Sequence, residues 1–199
     1  SVHAGTNVVL ATTSRRPRRR ASSLRHDAAP PTRPSAAAGV ATRRAVEQRS
    51  RMAKSLDVGD RVPSFTLPDQ DGAAVKLEDL LGKGPVVFFF YPKDETPGCT
   101  KEACTFRDRN AELVDAGAAV FGVSGDSVAS HKGFATHHEL PYRLLADVGD
   151  KVRDEVFRVP RGFLGLTPGR VTYVVDKDGV VRHRHEAQLQ FASHADEAI

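Results

Sequence analysis

The sequence contains only two cysteines, Cys99 and Cys104, among its 199 residues. Two cysteines cannot form the dense disulfide framework that holds many small secreted domains together. A folded region of about 140 residues can bury a hydrophobic core without such a framework. Because both cysteines lie in one short segment, we expect them to serve chemistry rather than architecture.

Other absences narrow the range of functions. The longest apolar runs, such as residues 86–91, are far shorter than the roughly 20 residues that span a bilayer, so no membrane span is expected. The sequence has no G-x-G-x-x-G motif and no P-loop, which leaves nucleotide binding unsupported. It also has no C-x-x-C motif, which argues against a thioredoxin-type reductase.

The overall net charge of +4 hides a division of charge along the chain. Residues 1–56 carry twelve Lys or Arg and two acidic residues, whereas residues 57–199 carry seventeen basic and twenty-three acidic residues. The basic character therefore belongs to the N-terminal segment. The folded part is mildly acidic, so no nucleic-acid partner is predicted.

Residues 1–54 are predicted to be a disordered transit peptide. They include RRPRRR at 15–20 and APPTRP at 29–34, and they show no sustained apolar periodicity. An Arg-rich, Ser-rich and acid-poor composition is typical of organelle transit peptides, with an ordinary disordered basic tail as the alternative. Residues 55–199 are predicted to form one folded domain. The chain begins with Ser rather than Met and ends inside a predicted helix, so we expect both true termini to be missing.

The folded part has a mixed pattern of strands and helices. The run VVFFFY at 86–91 predicts a strand that is buried on both faces. A helix over 97–116, closed by Gly117, connects it to a second strand at 118–124 in a right-handed crossover. This arrangement predicts an α/β three-layer sandwich. The remaining predicted elements are strands at 62–67, 74–77, 171–175 and 180–185, with a turn at 176–179, and helices at 127–138, 150–157 and from 192 onward.

The segment YPKDETPGCTKEAC at 91–104 carries the chemistry. Thr96 suits the N-cap of the helix and Pro97 suits its first position. Cys99 then lies in the first helical turn, where free N–H groups and the helix dipole favour a thiolate. The thiolate is the reactive form of cysteine, although a buried cysteine that only fills space is the alternative.

Cys104 follows Cys99 on the same predicted helix. Five helical residues add about 7.5 Å of rise and about 140° of rotation, whereas a disulfide prefers Cα atoms within about 7 Å. The start of the helix must therefore unwind if the two cysteines bond. Residues at helical spacing from Cys99 are expected on its packed side, namely Ala103, Phe106, Asn110 and Leu113. Charged residues on the same helix are expected in solvent, namely Lys101, Glu102, Arg107 and Asp108.

Pro92, Thr96 and Cys99 fit the P-x-x-x-T-x-x-C pattern of peroxiredoxins. The second cysteine five residues later resembles the peroxiredoxin Q group, also called bacterioferritin comigratory protein. The resemblance extends from about Asp57 to the C-terminus, and its motifs are VSGDS at 123–127, SHKGFA at 130–135, LPYRLLAD at 140–147 and PGRVTYVVDKDG at 168–179. The leader resembles the transit peptides of plant and algal members.

This resemblance implies a thioredoxin-like fold with a central mixed β-sheet, in which peroxide binds over Cys99. It implies that Thr96 and Arg170 hydrogen-bond the peroxide and stabilise the thiolate, while Pro92 shields the sulfur. Cys99 would become a sulfenic acid, and Cys104 would resolve it as a disulfide that thioredoxin or a similar dithiol reduces. No metal or other cofactor is required. The resemblance also implies a monomer in the chloroplast, with stroma and thylakoid lumen both open.

Two other interpretations remain at this point. A thiol redox sensor would use the same switch between Cys99 and Cys104 to release a partner, with only incidental turnover. A structural disulfide protein would lose stability on reduction. The set of Pro92, Thr96 and Arg170 favours an enzyme, because a switch does not need it. The preference between hydrogen peroxide and organic hydroperoxides stays open.

The eight histidines give no metal-binding prediction. His137 and His138 are adjacent, so they are expected to face different ways on a helix. His183 and His185 share a strand face, but no cysteine lies near them in sequence. The segment DKDGVVRHRHE fails as a calcium loop because Val180 occupies a position that needs an oxygen ligand.

Overall fold

The apolar run VVFFF forms the central strand of a five-stranded mixed sheet. The computed structural model describes residues 54–162, 167–187, 189–190 and 193–198. The predicted transit peptide lies outside them except for Lys54, and it stays a prediction. The elements are β1 (Thr66–Pro68), β2 (Ala74–Lys76), α1 (Leu77–Leu80), β3 (Val86–Phe90), α2 (Pro97–Asp108), α3 (Asn110–Asp115), β4 (Ala119–Ser124), α4 (Val128–His137), β5 (Arg143–Ala146), a π-helix (Val152–Phe157), β6 (Val171–Val175), β7 (Val181–Glu186) and α5 (Ser193–Asp196).

The strand order of the sheet is β5-β4-β3-β6-β7. β3 pairs in parallel with β4 and antiparallel with β6, so the predicted mixed sheet is confirmed. β4 and β5 are also parallel, whereas β6 and β7 form the predicted hairpin through the turn at 176–179. Gly179 has a φ of 82°, a left-handed conformation that glycine adopts without strain.

β3 is buried on both faces because layers cover both sides of the sheet. Its alternate residues enter two hydrophobic clusters, as the period of two in a strand requires. Val86, Phe88 and Phe90 join the cluster that includes the β1–β2 hairpin and the π-helix. Val87 and Phe89 join the cluster that includes residues of α2, α4 and α5. The predicted three-layer arrangement is therefore confirmed.

Several predicted boundaries were wrong. The helix predicted over 97–116 is two helices, because the backbone at Arg109 (φ −96°, ψ 1°) leaves the helical region. Of the strand predicted at 62–67, only its last two residues belong to β1. The helix predicted at 150–157 is a π-helix that begins at Val152. β5 and α1 were not predicted, because each has four residues and is too short for a periodic signal.

Every helix that the structure describes is too short or too polar to cross a bilayer.

Candidate active site

Cys99 and Arg170 meet in the structure although 71 residues separate them in sequence. Nη2 of Arg170 donates a hydrogen bond to Sγ of Cys99 at 3.3 Å. Cys99 lies in the first turn of α2, and Arg170 directly precedes β6, the neighbour of β3 in the sheet. Both side chains are buried. The sulfur therefore faces a fixed cation in a site of low solvent exposure, where electrostatic interactions are stronger than in water.

The start of α2 has the predicted N-cap position at Thr96 and the predicted first position at Pro97. The backbone N–H of Thr100 donates to the Thr96 carbonyl at 2.8 Å, which forms the first helical turn. The Thr96 hydroxyl does not cap the helix, because it donates to the Lys93 carbonyl at 3.0 Å within the preceding loop. Pro92 is half-buried in that loop, directly after Tyr91.

Glu102 is buried rather than solvated, which corrects the sequence-based expectation. Its Oε2 accepts a hydrogen bond from Nη1 of Arg170. Glu102 lies three residues after Cys99, so the two side chains occupy the same face of α2. That spacing was a usable signal, but the charge of Glu102 favoured a solvated position. The guanidinium of Arg170 thus contacts the sulfur with one arm and a buried carboxylate with the other.

Cys99, Arg170 and Glu102 form a buried polar row, and His194 continues it behind Glu102. Its Nδ1 lies 3.6 Å from Oε1 of Glu102 and accepts a hydrogen bond from the Thr172 hydroxyl at 2.8 Å. Its Nε2 donates to the Ala187 carbonyl at 2.7 Å. Burial lowers the pKa of His194 to about 4, so the ring is neutral at physiological pH. No motif in the sequence assigned His194 to the site.

Arg153 holds the backbone on both sides of the site, and sequence reasoning missed it. Its Nη1 donates to the Gly169 carbonyl at 2.7 Å and its Nη2 donates to the Tyr91 carbonyl at 2.6 Å. Gly169 fits because a Cβ there would lie 1.7 Å from the Pro160 carbonyl oxygen. The residue before Arg170 is therefore fixed from two directions. Nothing in the charged run around Arg153 distinguishes it from its neighbours in sequence.

A buried Asp94 anchors the loop that leads to Cys99. Its carboxylate accepts hydrogen bonds from the Tyr91 hydroxyl at 2.7 Å, the Ser130 hydroxyl at 2.7 Å and Nδ1 of His131 at 2.9 Å. Burial alone would raise the pKa of Asp94, but the hydrogen bonds and the charge of His131 outweigh it and hold the pKa below its usual range. The loop is thus attached to α4 through its buried carboxylate.

Cys104 is half-buried on α2, and both cysteines are free thiols. The helix is continuous from Pro97 to Asp108, so the two cysteines are held apart by helical geometry. The Tyr142 hydroxyl donates to the carbonyl of Ala103 at 2.7 Å, directly beside Cys104. A bond between the cysteines therefore requires the first turns of α2 to unwind, as the sequence analysis predicts.

His137 and His138 face the same carboxylate, so the expectation that they face different ways is wrong. α4 ends at His137, and His138 is its C-cap with φ −103° and ψ 8°. Nδ1 of His137 and Nε2 of His138 each lie 3.1 Å from an oxygen of Glu95. Hydrogen bonds from His137 and His138 hold the pKa of Glu95 below its usual range. Among the described residues, a second group of this kind consists of His183, His185 and Glu197.

Similar sequences cover most of the described chain. The AhpC/TSA family matches residues 58–184. Chloroplastic peroxiredoxin Q from Triticum aestivum is 48% identical over 159 residues, which cover 80% of this chain and 72% of the wheat protein. Chloroplastic peroxiredoxin Q from Oryza sativa subsp. japonica is 52% identical over 141 residues, which cover 71% of this chain and 64% of the rice protein.

Solved structures with the same fold include two proteins from bacteria. Peroxidoxin BcpB from Mycobacterium tuberculosis is 42% identical with a TM-score of 0.66, and the match covers 72% of this chain and 94% of that one. A cysteine mutant of peroxiredoxin Q from Xanthomonas campestris is 32% identical with a TM-score of 0.61, and the match covers 66% and 85% of the two chains.

Proposed function

Because the chain belongs to the AhpC/TSA family and, within it, to the peroxiredoxin Q group, we propose that Cys99 is its peroxidatic cysteine and Cys104 its resolving cysteine. As a peroxiredoxin, the protein is a thiol peroxidase, an enzyme that reduces peroxides with a cysteine side chain. The observation that carries the assignment is the contact between Arg170 and the sulfur of Cys99. It directs a permanent cation at the atom that the reaction needs as an anion.

In the first step, the Cys99 thiolate attacks one oxygen of the peroxide. A sulfur–oxygen bond forms, the oxygen–oxygen bond breaks, and the second oxygen leaves with its electron pair and takes up a proton. The products are a sulfenic acid and water or an alcohol. Arg170 stabilises the negative charge that develops on the leaving oxygen, because its buried guanidinium is fixed by Glu102. Thr96 and Pro92 complete the site. The Thr96 hydroxyl, which donates to the Lys93 carbonyl in the free protein, exchanges that acceptor for the peroxide, and Pro92 shields the sulfur.

In the second step, the first turns of α2 unwind and the Cys104 thiol attacks the sulfenic sulfur. A disulfide forms and water leaves. A thioredoxin-type dithiol then reduces this disulfide and becomes a disulfide itself. The cycle requires neither a metal nor another cofactor. Because resolution within one chain needs no cysteine from a partner, we expect the protein to function as a monomer.

The peroxiredoxin Q relatives from Triticum aestivum and Oryza sativa subsp. japonica are chloroplastic. Together with the Arg-rich and acid-poor composition of residues 1–54, this supports a transit peptide and a chloroplast location. The substrates are hydrogen peroxide and organic hydroperoxides, and the cellular role is antioxidant defence.

The test is peroxide consumption by the full chain with thioredoxin, thioredoxin reductase and NADPH. The wild-type protein is expected to turn over many equivalents of peroxide, whereas Cys99→Ser is expected to consume none. Cys104→Ser is expected to form a sulfenic acid at Cys99, detected by mass spectrometry after dimedone labelling, without recycling through thioredoxin. A wild-type protein that stops after about one equivalent would be a sensor and would contradict the proposal.

A further inference from the structure

Glu95, His137 and His138 form a surface cluster beside the loop that leads to Cys99. We propose that these three residues bind a Zn²⁺ ion, with water in the remaining position. Two imidazoles and one carboxylate with an open position are a ligand set that zinc accepts in proteins. Neither the peroxide chemistry nor the sequence pattern assigns a role to this cluster.

The distances within the cluster suit zinc. A tetrahedral ion with bonds of about 2.0–2.1 Å holds neighbouring ligand atoms about 3.3 Å apart. Nδ1 of His137 lies 3.1 Å from one carboxylate oxygen of Glu95, and Nε2 of His138 lies 3.1 Å from the other. One ligand atom from each residue lies within 4.8 Å of the other two. An ion can therefore enter with small side-chain movements.

The imidazole rings can also exchange their hydrogen bonds to Glu95 for bonds to an ion. Each imidazole now donates its N–H to the Glu95 carboxylate. A neutral imidazole carries one proton, and it can hold that proton on the ring nitrogen that faces away from the ion. The nitrogen that faces Glu95 then offers a lone pair to the metal. Zn²⁺ would replace two hydrogen bonds by three coordination bonds.

Part of the cluster is held in place before any ion binds. Arg107 Nη1 donates to the backbone carbonyl of His138 at 3.0 Å, and the His138 ring packs edge-on against Phe134 at 4.9 Å between centroids. The side chain of His138 is only 17% exposed. Glu95 follows the anchored Asp94 and has a φ of 57°, in the left-handed region. His137 is 68% exposed, which leaves a face of the site open to water.

The second histidine group is a weaker candidate. Nε2 of His183 is 3.6 Å from Glu197, a longer contact than those of Glu95. Nε2 of His185 is already engaged with the Ser193 hydroxyl at 2.8 Å. This group is therefore the natural internal control for nonspecific binding to surface histidines.

A bound ion would connect the loop before Cys99 to the end of α4. Glu95 directly precedes Thr96, the N-cap of α2, and His137 is the last residue of α4. Unwinding of the first turns of α2 would then have to occur against a coordination bond. We therefore expect Zn²⁺ to slow the formation of the disulfide. This consequence, unlike the binding itself, rests on the proposed function.

Binding is tested by titrating ZnCl₂ into the ¹⁵N-labelled full chain without a histidine tag. Cys99 and Cys104 are replaced by Ser in this experiment, so that no thiolate can bind the ion. The amide signals of Glu95, His137 and His138 are expected to shift and to saturate near one equivalent. Glu95→Gln, His137→Gln and His138→Gln are each expected to weaken this binding by about tenfold or more, because each removes a ligand.

The control for this titration is His183→Gln, which is expected to leave the response at Glu95 unchanged. The proposal is overturned if the signals of these three residues do not move. It is also overturned if the signals of Glu95 and His138 move as much in His137→Gln as they do with His137 present. It is also overturned if only signals around His183 and His185 respond.

The expected effect of Zn²⁺ on disulfide formation is tested with both cysteines present. Disulfide formation is followed after the addition of one equivalent of peroxide. Zn²⁺ is expected to slow this step more in the wild-type protein than in His137→Gln, each relative to its own metal-free rate. Binding of zinc to the thiols affects both proteins alike. Equal slowing would overturn the link to resolution. A protein without any peroxidase activity would refute the proposed function and leave the titration result standing.

Discussion

At the scale of single residues, the site depends on how one guanidinium is shared. Arg170 is buried, and a buried cation without a partner is strongly destabilising. Glu102 supplies the opposite charge on Nη1, which leaves Nη2 directed at the sulfur of Cys99. The planar fork of arginine fixes these two directions at once, whereas an ammonium group is a single point charge. The geometry of Arg170 should therefore matter as much as its charge.

Arg170→Lys is expected to lower the second-order rate constant of Cys99 oxidation by about 100-fold or more, the usual effect of removing a fixed donor from a developing anion. To measure the rate, the reaction of the protein with peroxide is stopped at set times and the sulfenic acid is quantified by mass spectrometry. Arg182→Lys is the matched control, because Arg182 is exposed on β7 and pairs with Asp176. A rate in Arg170→Lys equal to that of the control would remove Arg170 from the mechanism.

At the scale of elements, packing across the sheet decides where side chains can fit. Gly122 of β4 pairs with Phe89 of β3 and with Leu144 of β5. A Cβ at Gly122 would lie 2.7 Å from the Phe89 ring and 2.7 Å from Leu144 Cδ2. Phe89 in turn stacks on Phe106 of α2 at 4.3 Å between centroids. The absence of a side chain at Gly122 therefore leaves room for the Phe89 ring, against which α2 packs through Phe106.

Gly122→Ala is expected to lower the free energy of unfolding by about 1–3 kcal/mol, because overpacking a full core forces neighbours to move. Gly133→Ala is the matched control. Gly133 lies on the exposed face of α4, where nothing is within 4 Å of a new Cβ, so this change is expected to stabilise the protein by about 0.5–1 kcal/mol. Urea unfolding followed by far-UV circular dichroism measures both. Changes of the same sign would contradict this account of β4.

At the scale of the whole molecule, the C-terminal helix α5 completes the buried side of the site. His194 of α5 contacts Thr172 of β6 and faces Glu102 of α2. Its neighbour Ala195 is buried in the same cluster as Cys99. Residues from three separate parts of the chain, Glu102, Thr172 and His194, therefore lie in one buried polar row, and the stability of the protein is expected to depend on the protonation of His194.

The pKa of His194 predicts how stability depends on pH. The folded value is about 4, lowered mainly by burial and further by His185 and Arg170, and the unfolded value is about 6.5. As pH falls from about 6.5 to about 4, the unfolded chain binds a proton that the folded protein does not, so stability falls by up to about 3 kcal/mol. His194→Asn, whose amide oxygen can still accept from Thr172, is expected to lose about 2 kcal/mol less than the wild-type protein between pH 7 and pH 4.5. Parallel urea titrations test this, and identical losses would contradict it.

The sequence by itself determined the parts of this protein that depend on neighbours along the chain. The continuous run at 86–91 predicted a strand that is buried on both faces, and β3 occupies its first five residues. Thr96 and Pro97 predicted where the helix of Cys99 begins. The spacing of Pro92, Thr96, Cys99 and Cys104 was sufficient to indicate the family. These signals are local, because periodicity, capping and motif spacing all act within a few residues.

Only the tertiary structure decided which distant residues share an environment. Glu102 was expected in solvent, but Arg170, 68 residues away, holds it inside the protein. His137 and His138 were expected to diverge, but the end of α4 turns both towards Glu95, more than 40 residues earlier. The burial of Arg153 likewise depends on the carbonyls of Tyr91 and Gly169. The pairing of charges and hydrogen bonds across such separations is set by how the layers pack, and no local pattern in the sequence encodes it.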